Sequence, residues 1–161
     1  MIRLAKLEEI EQILTVYAAA RAFMRAAGNP TQWGNTHPAV ETLLDDIAKG
    51  QLYVVADKED KVCACFALIG GEDPTYAEID GAWRSDAPYG TLHRVASDGS
   101  QKGIFNQCAA FAKKKFDHLR IDTHEDNIPM QTVIKRNGFV YTGIIICANG
   151  TPRLAFDWIK E

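Results

Sequence analysis

The chain has 161 residues, of which 47% are hydrophobic and 24% are charged, and its formal net charge is −3. Such a chain is too apolar to remain disordered and is long enough to bury a core as one domain, 1–161. Its charge balance lacks the basic excess that is typical of a nucleic-acid-binding protein.

The sequence also lacks the features of a membrane protein and of a secreted disulfide-rich protein. No segment approaches the roughly 20 apolar residues that a membrane span needs, and 1–12 is too charged for a signal peptide. The cysteines stand in apolar runs without paired Cys-x-x-Cys spacing, which favours buried free thiols over a zinc site. We therefore expect a cytoplasmic protein without a metal.

The first half of the chain is predicted to form a strand, two helices and an antiparallel hairpin. After a short strand at 1–6, apolar residues recur at helical spacing over 7–27, and a second helix is predicted to begin at Pro38 and to end at Gly50. The β-rich runs 52–57 and 62–70, separated by a charged turn, then predict the hairpin.

The second half is predicted to alternate strands and helices before it closes with a hairpin. An irregular aromatic and acidic segment, 75–90, comes first. Gly138 is expected to end the second helix of this half, and Asn149-Gly150 is a hairpin turn signal. The remaining predicted elements are strand 91–96, loop 97–103, helix 104–116, strand 119–123, a helix that begins after Asp126 or Asn127, and strands 139–148 and 153–159.

The predicted order β-α-α-β-β-β-α-β-α-β-β indicates an α/β fold with a sheet of mixed direction. Because a helix joins strand 91–96 to strand 119–123, these two strands are expected to be parallel neighbours. The sequence does not indicate an oligomeric state, although the long final hairpin offers a possible edge for a homodimer.

The loop 97–103 is a candidate anion site, because a strand, a polar loop and a helix follow one another there. The start of a helix presents unpaired backbone N–H groups, and Gly99 and Gly103 allow a phosphate to approach the backbone. The loop is neither a P-loop nor a dinucleotide fingerprint, because Gly-Lys-Ser/Thr and Gly-x-Gly-x-x-Gly are both absent.

Two motifs in this half carry a resemblance to a known family. The first is Ser100-Gln101-Lys102-Gly103-Ile104-Phe105, and the second is Asn127-x-x-Met130-x-x-Val133-Ile134-x-Arg136-x-Gly138-Phe139. Together with the element order, they resemble the GCN5-related N-acetyltransferase (GNAT) family over nearly the whole chain. The second motif keeps the family's spacing throughout, whereas the first retains only Gly103.

The resemblance implies a mixed, centrally splayed β-sheet flanked by about four helices. It also implies transfer of an acetyl group from acetyl-CoA to a primary amine of a small molecule or protein, by direct attack on the thioester. The residues that it places at the coenzyme are Val95, Ala96, Ser97, Ser100, Gln101, Lys102, Gly103, Ile104, Phe105 and Asn127.

The catalytic candidates lie on and before strand 91–96. The backbone N–H of Val95 or Ala96 is expected to stabilise the oxyanion. Strand alternation places Tyr89, Thr91, His93 and Val95 on one face, which in the family looks toward the acceptor. His93 is the first candidate base, because imidazole titrates near neutral pH. Glu78, acting through water, is the second candidate, and Tyr89 is the third residue placed at the site, in the wall of the acceptor pocket.

The position at which the family often carries a tyrosine acid is Ile134 here, and isoleucine cannot donate a proton. Either Tyr141 or Cys147 replaces that acid, or the thiolate leaves unassisted. The alternative function is a non-catalytic acyl-CoA-binding regulatory module. A nucleotide-dependent oxidoreductase is disfavoured, because a hairpin precedes the βαβ unit and no acidic ribose partner follows the loop.

Overall fold

Eight strands form one mixed sheet, and four α-helices cover it. The computed structural model describes residues 1–161. This architecture confirms the expected α/β fold. In chain order the elements are β1 (Ile2–Leu4), α1 (Ile10–Ala26), α2 (Val40–Ala48), β2 (Leu52–Ala56), β3 (Val62–Gly70), β4 (Asp80–Gly81), β5 (Gly90–Ser97), α3 (Ile104–Lys115), β6 (His118–Thr123), α4 (Ile128–Arg136), β7 (Val140–Ile146) and β8 (Pro152–Ile159).

The order of strands across the sheet is β1-β2-β3-β5-β6-β8-β7-β4. All neighbouring strands are antiparallel except β5 and β6, which are parallel. The β2–β3 and β7–β8 hairpins and the parallel β5–β6 pair are therefore confirmed. In the final hairpin, β8 is covered on both sides by β6 and β7. The outer edge of β7 is paired only with the two residues of β4, so the rest of that edge has no partner strand.

The core consists of one large apolar cluster on each face of the sheet and a third, smaller cluster that contains Tyr76 and Tyr89. On one face α1 and α2 pack Tyr17 and Leu43 against β2 and β3. On the other face α3 and α4 contribute Phe105, Cys108 and Ile134. The helical spacing of apolar residues in the sequence reflects these buried stripes. None of the four helices is long and apolar enough to cross a membrane.

Two local predictions are wrong. The second helix begins at Val40 rather than at Pro38, because Ala39 is still extended, with φ −68° and ψ 152°. The segment 75–90 is not wholly irregular, since β4 pairs Gly81 with Gly143 of β7. A Cβ atom at either glycine would lie within 2.2 Å of a backbone oxygen of the other strand. Only glycine allows these backbones to approach so closely.

Candidate active site

The centre of the sheet opens where β5 and β6 separate. These strands pair only through Gly90 with Leu119 and Thr91 with Arg120. After these two pairs, β5 and β6 continue but are no longer paired with each other. A gap therefore forms between their carboxyl ends. Ligands of parallel sheets commonly bind at such a gap. The central splay that the sequence resemblance implied is therefore present.

A β-bulge in β5 lies beside this gap. His93 and Ala96 are three residues apart, whereas their partners in β3 are only two apart, so Arg94 and Val95 have no partner there. Arg94 adopts a left-handed conformation, with φ +52°. The extra residue turns Val95 toward the cluster of α3, whereas Ala96 packs with α1. The expectation that Val95 shares a face with His93 is therefore wrong.

Buried groups hold the bulge in place. The hydroxyl of Tyr17 donates to the carbonyl oxygen of Arg94 at 2.6 Å. The guanidinium of Arg94 makes two hydrogen bonds of 2.9 Å to Asp46, a carboxylate whose residue is 2% exposed. A bidentate pair of this kind adds directional constraint as well as charge compensation. The unusual backbone of β5 is thus supported from α1 and α2.

Two cavities meet at the bulge. The smaller cavity, of about 310 Å³, lies between α1, the end of β5, α3 and α4. The larger cavity, of about 520 Å³, lies over the β5–β6 gap and is bounded by the β7–β8 hairpin and the segment between α1 and α2. Met24, Val95 and Met130 line both cavities. A molecule that fills the smaller cavity therefore reaches the larger one beside Val95.

The residues predicted to bind a coenzyme divide into two sets. Those that line the smaller cavity are Val95, Ala96, Ser97, Ile104, Phe105 and Asn127. Those that do not line it are Ser100, Gln101, Lys102 and Gly103. The second set forms the loop before α3, where Gly103 adopts a left-handed conformation with φ 71° and allows the helix to begin.

Two backbone N–H groups of the loop before α3 donate to side chains of the same loop. The N–H of Gly99 donates to the hydroxyl of Ser97 at 3.1 Å, and the N–H of Ser100 donates to Asp98 at 2.8 Å. No acidic residue lies in the first turn of α3, so its backbone N–H groups remain available to an anion.

Asn127 has a structural role in addition to lining the smaller cavity. Its Oδ1 accepts a hydrogen bond of 3.2 Å from the N–H of Met130, which caps α4. Its Nδ2 donates to Gln32 at 3.0 Å, which attaches the segment between α1 and α2 to the start of α4. The predicted N-cap is confirmed, with Pro129 in the first turn.

His93 lines the larger cavity and pairs with a carboxylate. Its Nε2 lies 2.8 Å from Oδ2 of Asp73, and both side chains are about one-fifth exposed, at 23% and 20%. An ionised carboxylate only accepts, so Nε2 carries the proton and Nδ1 has no protein partner. This contact, with the hydrogen bonds from Thr75, holds the pKa of the Asp73 carboxyl well below its usual range.

Buried aromatic side chains position this pair. The N–H of Asp73 donates to the hydroxyl of Tyr89 at 2.7 Å. The ring of Tyr76 stacks on His93, with centroids 6.2 Å apart, and its hydroxyl donates to Asp122 at 2.6 Å. Burial raises the pKa of Tyr76 well above its ordinary value, so this hydroxyl remains a donor.

Comparison with known proteins identifies the fold family. No family model and no curated protein matches the sequence. A GNAT-family acetyltransferase from Streptococcus agalactiae 2603 is 31% identical, with a TM-score of 0.87 over 100% of this chain and 95% of that chain. The chain belongs to the GNAT family.

Two other solved structures are more distant and show the fold alone. A putative acetyltransferase from Staphylococcus aureus Mu50 is 24% identical, with a TM-score of 0.71 over 99% of this chain and 98% of that chain. A chain of the NatC complex bound to Gag peptide and CoA is 9% identical, with a TM-score of 0.64 over 100% of this chain and 98% of that chain.

Two of the catalytic candidates in this GNAT protein do not line either cavity. Glu78 is exposed and makes no side-chain hydrogen bond, so the geometry does not favour it as a base. Tyr89 is 7% exposed, and its hydroxyl is occupied by Asp73. Tyr89 instead contacts the backbone of Asp73 and so helps to position the pair of Asp73 and His93.

The structure also shows where Ile134 and the two candidate replacements for the family tyrosine lie. Ile134 is fully buried and belongs to the apolar cluster of α3 and α4. Of the two replacement donors, Tyr141 is 50% exposed and lies away from both cavities, whereas Cys147 lines the larger one. The other cysteines, Cys63, Cys65 and Cys108, are buried, as predicted, whereas the prediction is wrong for Cys147, which is only partly buried.

Sequence reasoning missed three charged residues of the larger cavity of this GNAT protein. They are Asp73, Asp122 and Arg153. No motif marks them, because they come from three separate segments of the chain. Only Asp73-Pro74 carries a local signal, a cap before a helical turn, and that signal reports structure rather than chemistry.

Proposed function

We propose that this GNAT protein transfers an acetyl group from acetyl-CoA to a primary amine of a small molecule or protein. The observation that carries the proposal is the meeting of the two cavities at Val95, with His93 in the wall of the larger one. One cavity suits the coenzyme and the other suits the acceptor. Attack on the thioester then occurs at their junction, without a metal.

The smaller cavity has the chemistry that acetyl-CoA requires. Its wall is largely apolar, with Val95, Phe105 and Met130 among the residues that would contact the extended thioester arm. The N–H groups at the start of α3 would hold the pyrophosphate. The NatC complex, which contains a chain of similar fold, is bound to Gag peptide and CoA. Acetyl-CoA, when bound, supplies an acetyl group activated as a thioester.

His93 is the proposed general base. An amine with a pKa of about 10.4 costs about 4.6 kcal/mol to deprotonate at pH 7, whereas releasing a thiol with a pKa of about 8.5 as thiolate costs about 2 kcal/mol. Removing the proton is therefore the larger demand on the protein. Nδ1 of His93 takes that proton, and Asp73 orients the imidazole and stabilises its charged form.

Val95 is the proposed oxyanion donor. It has no register partner in either neighbouring strand and lies where the two cavities meet, which makes its N–H the candidate donor. Negative charge that develops on the carbonyl oxygen would be stabilised by this fixed donor. The nitrogen–carbon bond forms, the carbon–sulfur bond breaks, and the electron pair leaves on sulfur. Ile134 supplies no proton, and the smaller cost of thiolate release makes an acid dispensable.

The first prediction is that His93→Ala slows acetyl transfer. Thiol release from acetyl-CoA would be measured with a panel of primary amines, and the rate is expected to fall about 10²–10⁴-fold. The cause is loss of the base while the coenzyme site remains. Binding of acetyl-CoA, measured by calorimetry, should be retained, because His93 does not line the smaller cavity.

Glu78→Gln separates the two candidate bases. This exposed residue lines neither cavity, so its variant should turn over at the unaltered rate. The opposite pattern, in which Glu78→Gln is slow and His93→Ala is normal, would move the base to Glu78. An unchanged rate in His93→Ala would remove His93 from the mechanism.

A non-catalytic acyl-CoA-binding module is the second candidate function. Ser97 and Asp98 accept hydrogen bonds from two N–H groups of the loop, so these groups are less available to a pyrophosphate. Ile134, at the position of the family acid, cannot donate a proton. Binding of acetyl-CoA without thiol release on any amine of the panel would favour this function over the enzyme.

A further inference from the structure

Arg153 is a buried cation without a carboxylate partner. The residue is only 6% exposed, and it lines the larger cavity from β8. Its Nη1 donates to the hydroxyl of Thr151 at 2.7 Å and to the carbonyl oxygen of Pro152 at 2.9 Å. Its Nε and Nη2 have no protein acceptor, yet they are not sealed from solvent. One edge of a fixed guanidinium is therefore free.

The other cations near the gap are compensated. Arg94 makes a bidentate pair with Asp46. Arg120, the other buried arginine, lies between the rings of Trp83 and Tyr89, with centroids 4.1 and 3.9 Å from its guanidinium carbon. Arg153 has neither a carboxylate within 4.0 Å nor an aromatic ring beneath it. A fixed guanidinium edge that is accessible and has no counter-charge is available to an anion from outside the chain.

The hairpin holds Arg153 in one orientation. The hydroxyl of Thr151 accepts from Arg153 and itself donates to Asn149 at 2.5 Å. Cys147 donates to the same asparagine at 2.8 Å, so the turn is internally braced. A guanidinium that is already fixed loses little conformational freedom when it binds an anion.

The cavity contains groups of both signs. Asp73 and Asp122 lie on its wall, each held by a hydrogen bond from His93 or Tyr76. His37 also lines it, and burial, together with nearby arginines, lowers its pKa, so it adds no second positive charge at neutral pH. Arg153 is thus the one cation in the cavity that remains without an anion.

We propose that the acceptor is a small molecule carrying a carboxylate as well as its primary amine, and that Arg153 binds the carboxylate. This inference rests on the proposed acetyl transfer. The free Nε and Nη2 edge matches the two oxygens of a carboxylate. One guanidinium balances a single negative charge, which suits a carboxylate better than a phosphate dianion. The volume of about 520 Å³ falls in the range of small-ligand sites.

The test compares acceptors that differ only in the carboxylate. Thiol release would be measured with glycine, β-alanine, 4-aminobutanoate and L-amino acids, each beside its carboxamide. The unaltered protein should prefer the carboxylate member by roughly 10- to 100-fold in kcat/KM, as expected for charge-assisted hydrogen bonds. Arg153→Gln should abolish the preference by slowing only the carboxylate member, and Arg153→Lys should restore part of it.

Arg25→Gln is the matched control, since Arg25 is exposed and lines neither cavity. It should keep the preference. A preference that persists in Arg153→Gln overturns the inference, as does an equal loss for both members or a raised KM for acetyl-CoA. Calorimetric titration with the same pairs separates this inference from acetyl transfer. Carboxylate-dependent binding that Arg153→Gln removes supports the site even without turnover, and binding that ignores the carboxylate contradicts it.

Discussion

Asp73 and His93 form a pair in which each residue fixes the state of the other. The carboxylate receives Nε2–H of His93 at 2.8 Å, and it also accepts from the N–H and hydroxyl of Thr75 at 2.9 and 2.7 Å. The contacts from Thr75 prevent the carboxylate from rotating away. The imidazole is consequently held with Nδ1 unpaired, as a base requires.

Replacing Asp73 tests this arrangement. Asp73→Asn retains an oxygen for Thr75 but presents an amide to the imidazole, so His93 loses its oriented, charge-stabilising partner. Turnover should fall by up to about 100-fold, the scale of small misplacements of a catalytic group. The dissociation constant for acetyl-CoA should not change, because Asp73 does not line the smaller cavity.

Glu72→Gln is the control for this change. Glu72 is adjacent and exposed and makes no side-chain hydrogen bond, so its variant should turn over normally. Turnover by Asp73→Asn that equals that of Glu72→Gln would show that the carboxylate does not assist His93. Steady-state rates and calorimetry on both variants provide the measurement.

At the scale of elements, the decisive feature is the bulge in β5. It turns Val95 toward the junction of the cavities and leaves Arg94 with a positive φ, a strained conformation for a residue with a side chain. The strand tolerates this because α1 supplies Tyr17 to the Arg94 carbonyl and α2 supplies Asp46 to its side chain. The helices on this face thus support the active strand as well as cover it.

Tyr17→Phe tests the support from α1. The variant removes one hydrogen bond and leaves a carbonyl of the bulge without its partner, which should lower the free energy of unfolding by about 1–3 kcal/mol. Tyr53→Phe is the matched control, because the hydroxyl of Tyr53 makes no hydrogen bond to the protein. Urea unfolding of both variants measures the difference. Equal stabilities would show that the Tyr17 contact does not stabilise the bulge.

For the whole molecule, the ionisable groups predict a loss of stability in acid. The guanidinium of Arg3 holds the pKa of Glu9 below its usual value, and His93 does the same for Asp73. Burial lowers the pKa of His37 and His118. In each case the unfolded chain binds protons that the folded chain does not, so stability falls as pH falls. The histidines contribute to this loss of stability below about pH 6.5, and the carboxylates contribute below about pH 4.

Glu9→Gln isolates one of these contributions. Urea unfolding between pH 7 and pH 3 should show that the variant is less stable than the unaltered protein at neutral pH. The difference should shrink below about pH 4, by no more than about 1.4 kcal/mol per pH unit for a single group. Glu8→Gln, an exposed neighbour without a side-chain hydrogen bond, should show no such convergence. A pH-independent difference would contradict the linkage.

The sequence by itself determined the order of elements, both hairpins, the parallel β5–β6 pair and the cap and terminator of α4. These follow from local rules, since periodicity, turn residues and helix caps act over a few neighbouring positions. The Asn127 to Phe139 motif likewise indicated the family. The bulge, in contrast, could be seen only in the tertiary structure. It is defined by how β5 pairs with β3, and the alternation of residues along β5 alone does not show it. Only the fold could bring Asp73 to His93 and Arg153 to the same cavity, because these contacts join segments that are distant in the chain and carry no shared pattern.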